Sequence, residues 1–178
     1  MFAPLVRTGD ALVRGQAVAS RHGLLCAEGN VVCTEPVISP VTGTPCLFYS
    51  IRATVRWHEA GMRRQRVLDS RHEAARFALD DGSGAIWIDA VWGGHFEPME
   101  TTRQSKPIGP YGHIAGTDFL FGKYKLSTGA LPRGAICRVE EHVLPLLPRL
   151  YARGKIESRG IGHPGWCKLF LEGRAAAH

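Results

Sequence analysis

The side chains best suited by type to proton chemistry are the adjacent carboxylates Asp80 and Asp81, in the run FALDDGSGAIWI over 77–88. General acid–base work needs two carboxyl groups that converge on one reacting atom. Neighbouring residues in a turn point apart, and turn aspartates bond the backbone two residues on. The order Asp-Gly-Ser also differs from the Asp-Ser/Thr-Gly of aspartic proteases. Ser39 has no Gly-x-Ser-x-Gly elbow around it. The glycines of DGSG are not followed by the Lys-Ser/Thr and helix of a phosphate-binding loop. Cys46 opens an apolar run, where a thiol reads as a small core side chain rather than a nucleophile. An enzyme would have to gather distant residues, of which Asp80, Asp81, His95 and His113 are the candidates. The expectation is a chain with no catalytic residues.

The same holds for metals and cofactors. Cys26, Cys33, Cys46, Cys137 and Cys167 are an odd set with no C-x-x-C pair, and the eight histidines are scattered. Zinc sites need tighter pairs. An odd cysteine count points to a reducing compartment. No metal, no cofactor and a cytoplasmic location, peripheral to a membrane at most, are expected. No apolar run approaches the roughly 18 residues that a membrane helix needs, and the start MFAPLVRTGDALVRG lacks a basic region followed by an apolar one.

These residues must be carried by short strands. The chain has 178 residues, 44% of them hydrophobic, with 21 glycines and 11 prolines that follow no period. Frequent turn residues between short apolar stretches favour an all-β architecture. In LFYSIRATVRW (47–57), Ile51, Ala53, Val55 and Trp57 alternate with Arg52, Thr54 and Arg56, the pattern of a half-buried strand with its arginines outward. RRQRVLDS (63–70) returns as its hairpin partner, and the arginines of both strands are expected on one solvated face. Phe77 to Ile88 reads as a second hairpin about an Asp-Gly turn. Pro145 and Pro148 break what would otherwise be a helical spacing of Val143, Leu144, Leu147 and Leu150, so two strands, 135–144 and 149–158, fit better. Trp166 to Glu172 reads as a last strand. Residues 91–117 hold three prolines and weak periodicity, and the whole stretch 91–135 is taken as a long irregular insert with room for a short strand near 96–102. The fold class expected is mainly β, a compact antiparallel barrel or sandwich with OB-like hairpins and few or no long helices, in a single domain.

Three stretches in order add a resemblance. VVCTEPVISPVTGTPCLFY (31–49) is similar to the opening motif of the GIDE domain, a Ser-Pro-x-Thr-Gly-x-Pro-Cys segment leading into an aromatic strand. FALDDGSGAIWID (77–89) resembles the next motif of that family, and EEHVLPLLPRLYARGKI (140–156) a later one. The likeness covers roughly 12–172, with 91–135 least similar. GIDE domains occur in mitochondrial MULAN-type ubiquitin ligases and in many bacterial membrane proteins. In the ligases the resemblance implies a partner-binding domain held between transmembrane helices, with a separate RING finger doing the ligase work. This sequence shows neither flanking membrane helices nor the eight RING ligands.

Function is therefore sought in binding. The net charge is +6, and the densest basic cluster runs from Arg52 through Arg56, Arg63, Arg64, Arg66 and Arg71 to Arg76, with Glu59, Asp69 and Glu73 inside it. The leading expectation is a non-catalytic protein-interaction module, a subunit of a larger bacterial or membrane-associated assembly. It would bind a protein through Arg52, Arg56, Arg63, Arg64 and Arg66 or through the long loop residues Trp92, His95, Phe96, Tyr111 and His113. The second reading is an OB-like domain for single-stranded nucleic acid, stacking bases on Tyr49, Trp57 and Trp87. The third is the enzyme assembled from distant residues.

Overall fold

β-Branched and aromatic residues that alternate with arginines have one low-energy arrangement, an extended strand with its apolar set turned inward. In the computed structural model, which describes residues 5, 7, 8, 25–88, 95–96, 99–109, 117–154, 157–158, 167–168 and 172–173, such a strand is the longest element. The described strands begin with β1 (Leu25–Val32), β2 (Val37–Ile38), β3 (Pro45–Glu59), β4 (Met62–Ala74), β5 (Phe77–Asp80), β6 (Ala85–Ile88), β7 (His95–Phe96) and β8 (Glu100–Pro107). They continue with β9 (Thr117–Phe121), β10 (Tyr124–Thr128), β11 (Ile136–Pro145), β12 (Arg149–Gly154), β13 (Glu157–Ser158), β14 (Cys167–Lys168) and β15 (Glu172–Gly173). The fold is mainly β, as the sequence predicts, with antiparallel sheets that include a curled half-barrel sheet. Among the described residues the parallel pairings are the short pair β7–β15 and an isolated bridge of Leu5 to Cys26. No helix of the described residues is long and apolar enough to cross a membrane.

One sheet has the order β12-β1-β5-β6. A second and larger sheet is built on β3, with β11 along one edge, β4 and the short β2 along the other, and β8 outside β11. Both hairpins anticipated from sequence are present, as β3–β4 and β5–β6. The proline-interrupted segment is two strands, β11 and β12, joined through Leu146–Pro148. The stretch 91–135 differs from the expectation of an irregular insert, since its described part contains β8 and the β9–β10 hairpin. The short strand expected near 96–102 overlaps only the start of β8, whose TTRQSKP carries no apolar alternation, and backbone pairing to β11 supplies its order instead. The expected last strand, 166–172, is described only as the two-residue β14 and β15.

From Phe48 onward adjacent residues of β3 face opposite ways, and two apolar clusters follow from that. Leu47, beside the register shift against β11, lies in the first cluster together with Phe48. Phe48 joins Phe77, Leu79, Ile86, Leu144 and Leu150, where the β1 sheet covers one face of β3 and β11 near their ends. Tyr49, Ile51, Ala53 and Val55 join Cys137 and Val139 on the other face, beneath Phe119, Phe121, Tyr124 and Leu126 of the β9–β10 hairpin. Burying Phe121 or Leu126 stabilises by roughly 1.5–3 kcal/mol each. This hairpin is therefore the lid of the second core. Beyond Phe48, the first face has no such cover among the described residues.

The corner Ser39–Gly43 fixes where the lid sits. Gly43 N–H donates to Ser39 C=O at 2.8 Å, closing a turn at which Gly43 has φ +75°. The fully buried Glu141 of β11 accepts from Ser39 Oγ–H (2.7 Å) and from Val41 N–H (3.1 Å). Ser39 has one hydroxyl proton, so the 2.6 Å contact with Thr42 Oγ1 is donated by Thr42. Lys123 N–H then reaches Pro40 C=O at 2.8 Å, which docks the β9–β10 turn on the corner. Gly122 of that turn has φ +63°, and a Cβ there would stand 2.1 Å from Val41 O.

Gly122 and Gly43 give an internal comparison. Both need positive φ, but around Gly43 there is open space. Gly43→Ala should cost about 1–2 kcal/mol from backbone conformation alone, and Gly122→Ala should exceed it by about 1–3 kcal/mol because backbone must move. Urea unfolding of the two variants measures the difference, and equal losses would contradict this docking.

Candidate functional site

Residues directly opposite each other in a ladder share a face of the sheet, so register decides which of the arginines act together. On the uncovered face of β8, β11, β3 and β4 one row is Thr101, His142, Ser50 and His72. The next is Arg103, Glu140, Arg52 and Ser70, followed by Ser105, Arg138, Thr54 and Val67. Then come Pro107, Ile136, Arg56 and Gln65, with His58 and Arg63 beyond them on the β3–β4 hairpin. Among the described residues this face carries Arg52, Arg56, Arg63, Arg103 and Arg138 against the single carboxylate of Glu140.

A β-bulge chooses the members. The register of β3 with β4 shifts between Ala53 and Thr54, with Leu68 as the extra residue of β4. One extra residue reverses the facing of everything after it. Arg63 and Gln65 therefore join Arg56, while Arg64 and Arg66 pair with Trp57 and Val55 on the other side. Strand alternation already separates Arg63 from Arg64 and Arg66, which corrects the sequence expectation that all these arginines share a face, and the bulge selects Arg63 as the one that joins Arg52 and Arg56. Arg64 is 3.6 Å from Glu59, and Arg71 lies over the Tyr124 ring, 4.4 Å from its centroid.

Glu140 is already committed. It accepts a hydrogen bond from Arg103 at 3.0 Å and lies 3.4 Å from His142 and 3.9 Å from Arg138. The Arg103 hydrogen bond, with the surrounding positive charge, holds its carboxyl below the usual range despite partial desolvation. Arg56 Nε donates to Gln65 Oε1 at 2.8 Å. Among the described residues Arg52, Arg56 and Arg63 form no ion pair. A cleft of about 340 Å³ opens between Arg56, His58, Arg63 and Arg138, with Ile136 and Trp57 also on its wall. Arg103 and Arg138 were not singled out from sequence, because each is the lone arginine of its strand. The alternation of Arg138, Glu140 and His142 with Cys137 and Val139 is the signal that points to them.

The remaining candidates are not gathered here. His95 and Phe96 form β7, paired with β15, and their side chains lie outside what the structure describes. Trp92, Tyr111 and His113 lie outside the described residues. Asp80 and Asp81 act as turn caps. Asp80 Oδ1 accepts from Gly82 N–H at 2.8 Å. Asp81 accepts from Ser83 N–H (2.9 Å) and the Ser83 hydroxyl, and also from the Thr8 hydroxyl at 2.8 Å. The Ser83 and Thr8 hydrogen bonds hold Asp81 well below the usual carboxylate range, which makes it a poor proton acceptor. The Cys46 thiol is buried and pushed up to about 11 by desolvation and by the Glu141 carboxylate, the opposite of an activated nucleophile. Of the aromatics considered for base stacking, Trp57 borders the cleft at one end of the open face, and the other two are not on that face. Tyr49 is buried with its hydroxyl on Glu73 at 2.6 Å, and the Trp87 ring lies under Arg76.

Compared with protein-family models, curated proteins and solved structures, the chain matches none.

The Asp81 bonds carry a pH signature. A carboxyl held below its ordinary pKa of about 3.9 adds stability above that pH and loses it as pH falls further. The Asp81→Asn variant should therefore lose less stability than the parent on acidification from about pH 4 to about pH 2. Denaturant midpoints along that pH series test this, and parallel losses would contradict it.

Proposed function

We propose that this chain is a non-catalytic protein-interaction domain that holds an acidic segment of a partner across the open β8-β11-β3-β4 face. The observation that carries this reading is the composition of that face, with five arginines gathered from four strands around one carboxylate that is already paired. Exposed cations without local partners raise the local concentration of anionic segments and speed encounter. Arginine forks also match carboxylates geometrically. The likeness of three sequence segments to the GIDE domain supports the same role by analogy of motif.

A protein partner suits the face better than single-stranded nucleic acid. Sequence-tolerant strand binding depends on aromatic rings that stack on bases. Of the three candidate rings only Trp57 reaches this side, at the cleft wall, and the rows themselves present Ser50, Val67, Ile136 and three histidines. Exposed ion pairs contribute about 0.2–1 kcal/mol each, so binding is expected to be modest and to weaken as salt screens it.

The test is fluorescence anisotropy with a labelled Glu-rich peptide. Replacing Arg52 and Arg63 together by glutamine should weaken binding about ten-fold, or about 1.4 kcal/mol. Replacing Arg64 and Arg66, an equal change in net charge, should alter it far less. Equal losses in the two double variants would reduce the effect to net charge and overturn the face. Tighter binding of oligothymidine than of the peptide would favour the nucleic-acid reading.

A further inference from the structure

The cleft at one end of the open face is more specific than the face as a whole. Its cationic wall is formed by Arg56 and Arg63 from the two arms of the β3–β4 hairpin and by Arg138 from β11, and among the described residues no carboxylate lines it. Glu140, two residues along β11, takes its short hydrogen bond from Arg103 at 3.0 Å and lies 3.9 Å from Arg138. The Ser105 hydroxyl of β8 also borders the cleft. Ile136 contributes an apolar wall and is 48% exposed. A volume of about 340 Å³ is at the small end of ligand sites.

We infer that this cleft anchors one phosphate monoester carried by a side chain of the bound partner. The inference rests on the protein-binding reading above and names the group that reading would recognise. Three guanidinium groups outnumber what a single carboxylate can satisfy. A phosphate monoester brings about −1.5 to −2 charges at neutral pH and three strong acceptor oxygens. Arg56, Arg63 and Arg138 approach from three strands, so they can address separate oxygens where parallel arginines on one strand could not. The Ser105 hydroxyl adds a neutral donor. Ile136 and Trp57 offer contact to the carbon stem that carries the phosphate.

The experiment uses the full chain and three peptides of one neutral sequence, bearing a central serine, glutamate or phosphoserine, alongside the Glu-rich peptide. The phosphoserine peptide should bind at least about ten-fold tighter than the glutamate version. Arg63→Gln, at an exposed position, should abolish that preference, and Arg138→Gln should do the same. Lys125→Gln on β10, which removes equal charge from the far side of the molecule, should retain it. Equal affinity for phosphoserine and glutamate, or a preference that survives both arginine changes, overturns the anchor. In either case continued binding of the Glu-rich peptide leaves the wider face intact, whereas loss of all binding removes both readings. Inorganic phosphate should displace the phosphopeptide only in large excess. If it binds as tightly as the phosphopeptide, the ligand is free phosphate and the assignment to a partner side chain fails.

Discussion

The structure depends on one buried carboxylate. Glu141 lies on the apolar side of β11 and receives two hydrogen bonds from the Ser39–Val41 corner. A buried acid left without donors would be costly, so its bonds and the corner's shape require each other. The corner in turn receives Lys123 and leaves room only for glycine at 122. Through that contact the β9–β10 hairpin is fixed over one face of β3 and β11, which leaves the opposite face to other uses.

Glu140 and Glu141 divide those duties by strand alternation alone. One side chain points into the core and holds the corner. The other points outward and draws Arg103 and His142 together. The same alternation, reset once by the bulge at Leu68, sorts the arginines of the β3–β4 hairpin between two sides. A bulge usually re-aims side chains at functional places. Here it swaps Arg63 in and leaves Arg64 and Arg66 out.

Much of the fold could be read from the chain. The alternation from Ile51 to Trp57 predicts β3, and the Asp-Gly turn predicts β5–β6, because in both cases one local pattern carries the information. Pro145 and Pro148 exclude a helix by removing donors, and β11 and β12 follow. The short strand expected near 96–102 meets only the start of β8, because the rest of this exposed edge strand has no apolar periodicity. The site was only half legible. Density along the sequence finds Arg52, Arg56 and Arg63, but Arg103 and Arg138 join them through register across strands far apart in the chain. Nor does the sequence mark Leu68 as a bulge, since the choice of register belongs to packing on both sides of β4. Glu141 was visible only as part of a motif, although an acid in the apolar phase of Cys137, Val139 and Val143 is the mark of a buried, hydrogen-bonded group.

Register, rather than total charge, gathers the arginines on the proposed face. Titrating the protein with the Glu-rich peptide while following arginine Nε–H resonances by NMR tests it most directly. The account predicts shifts for Arg52, Arg56, Arg63 and Arg138, with Arg64, Arg66 and Arg149 nearly unmoved. Shifts concentrated on Arg64 and Arg66, or spread evenly over all exposed arginines, would contradict it.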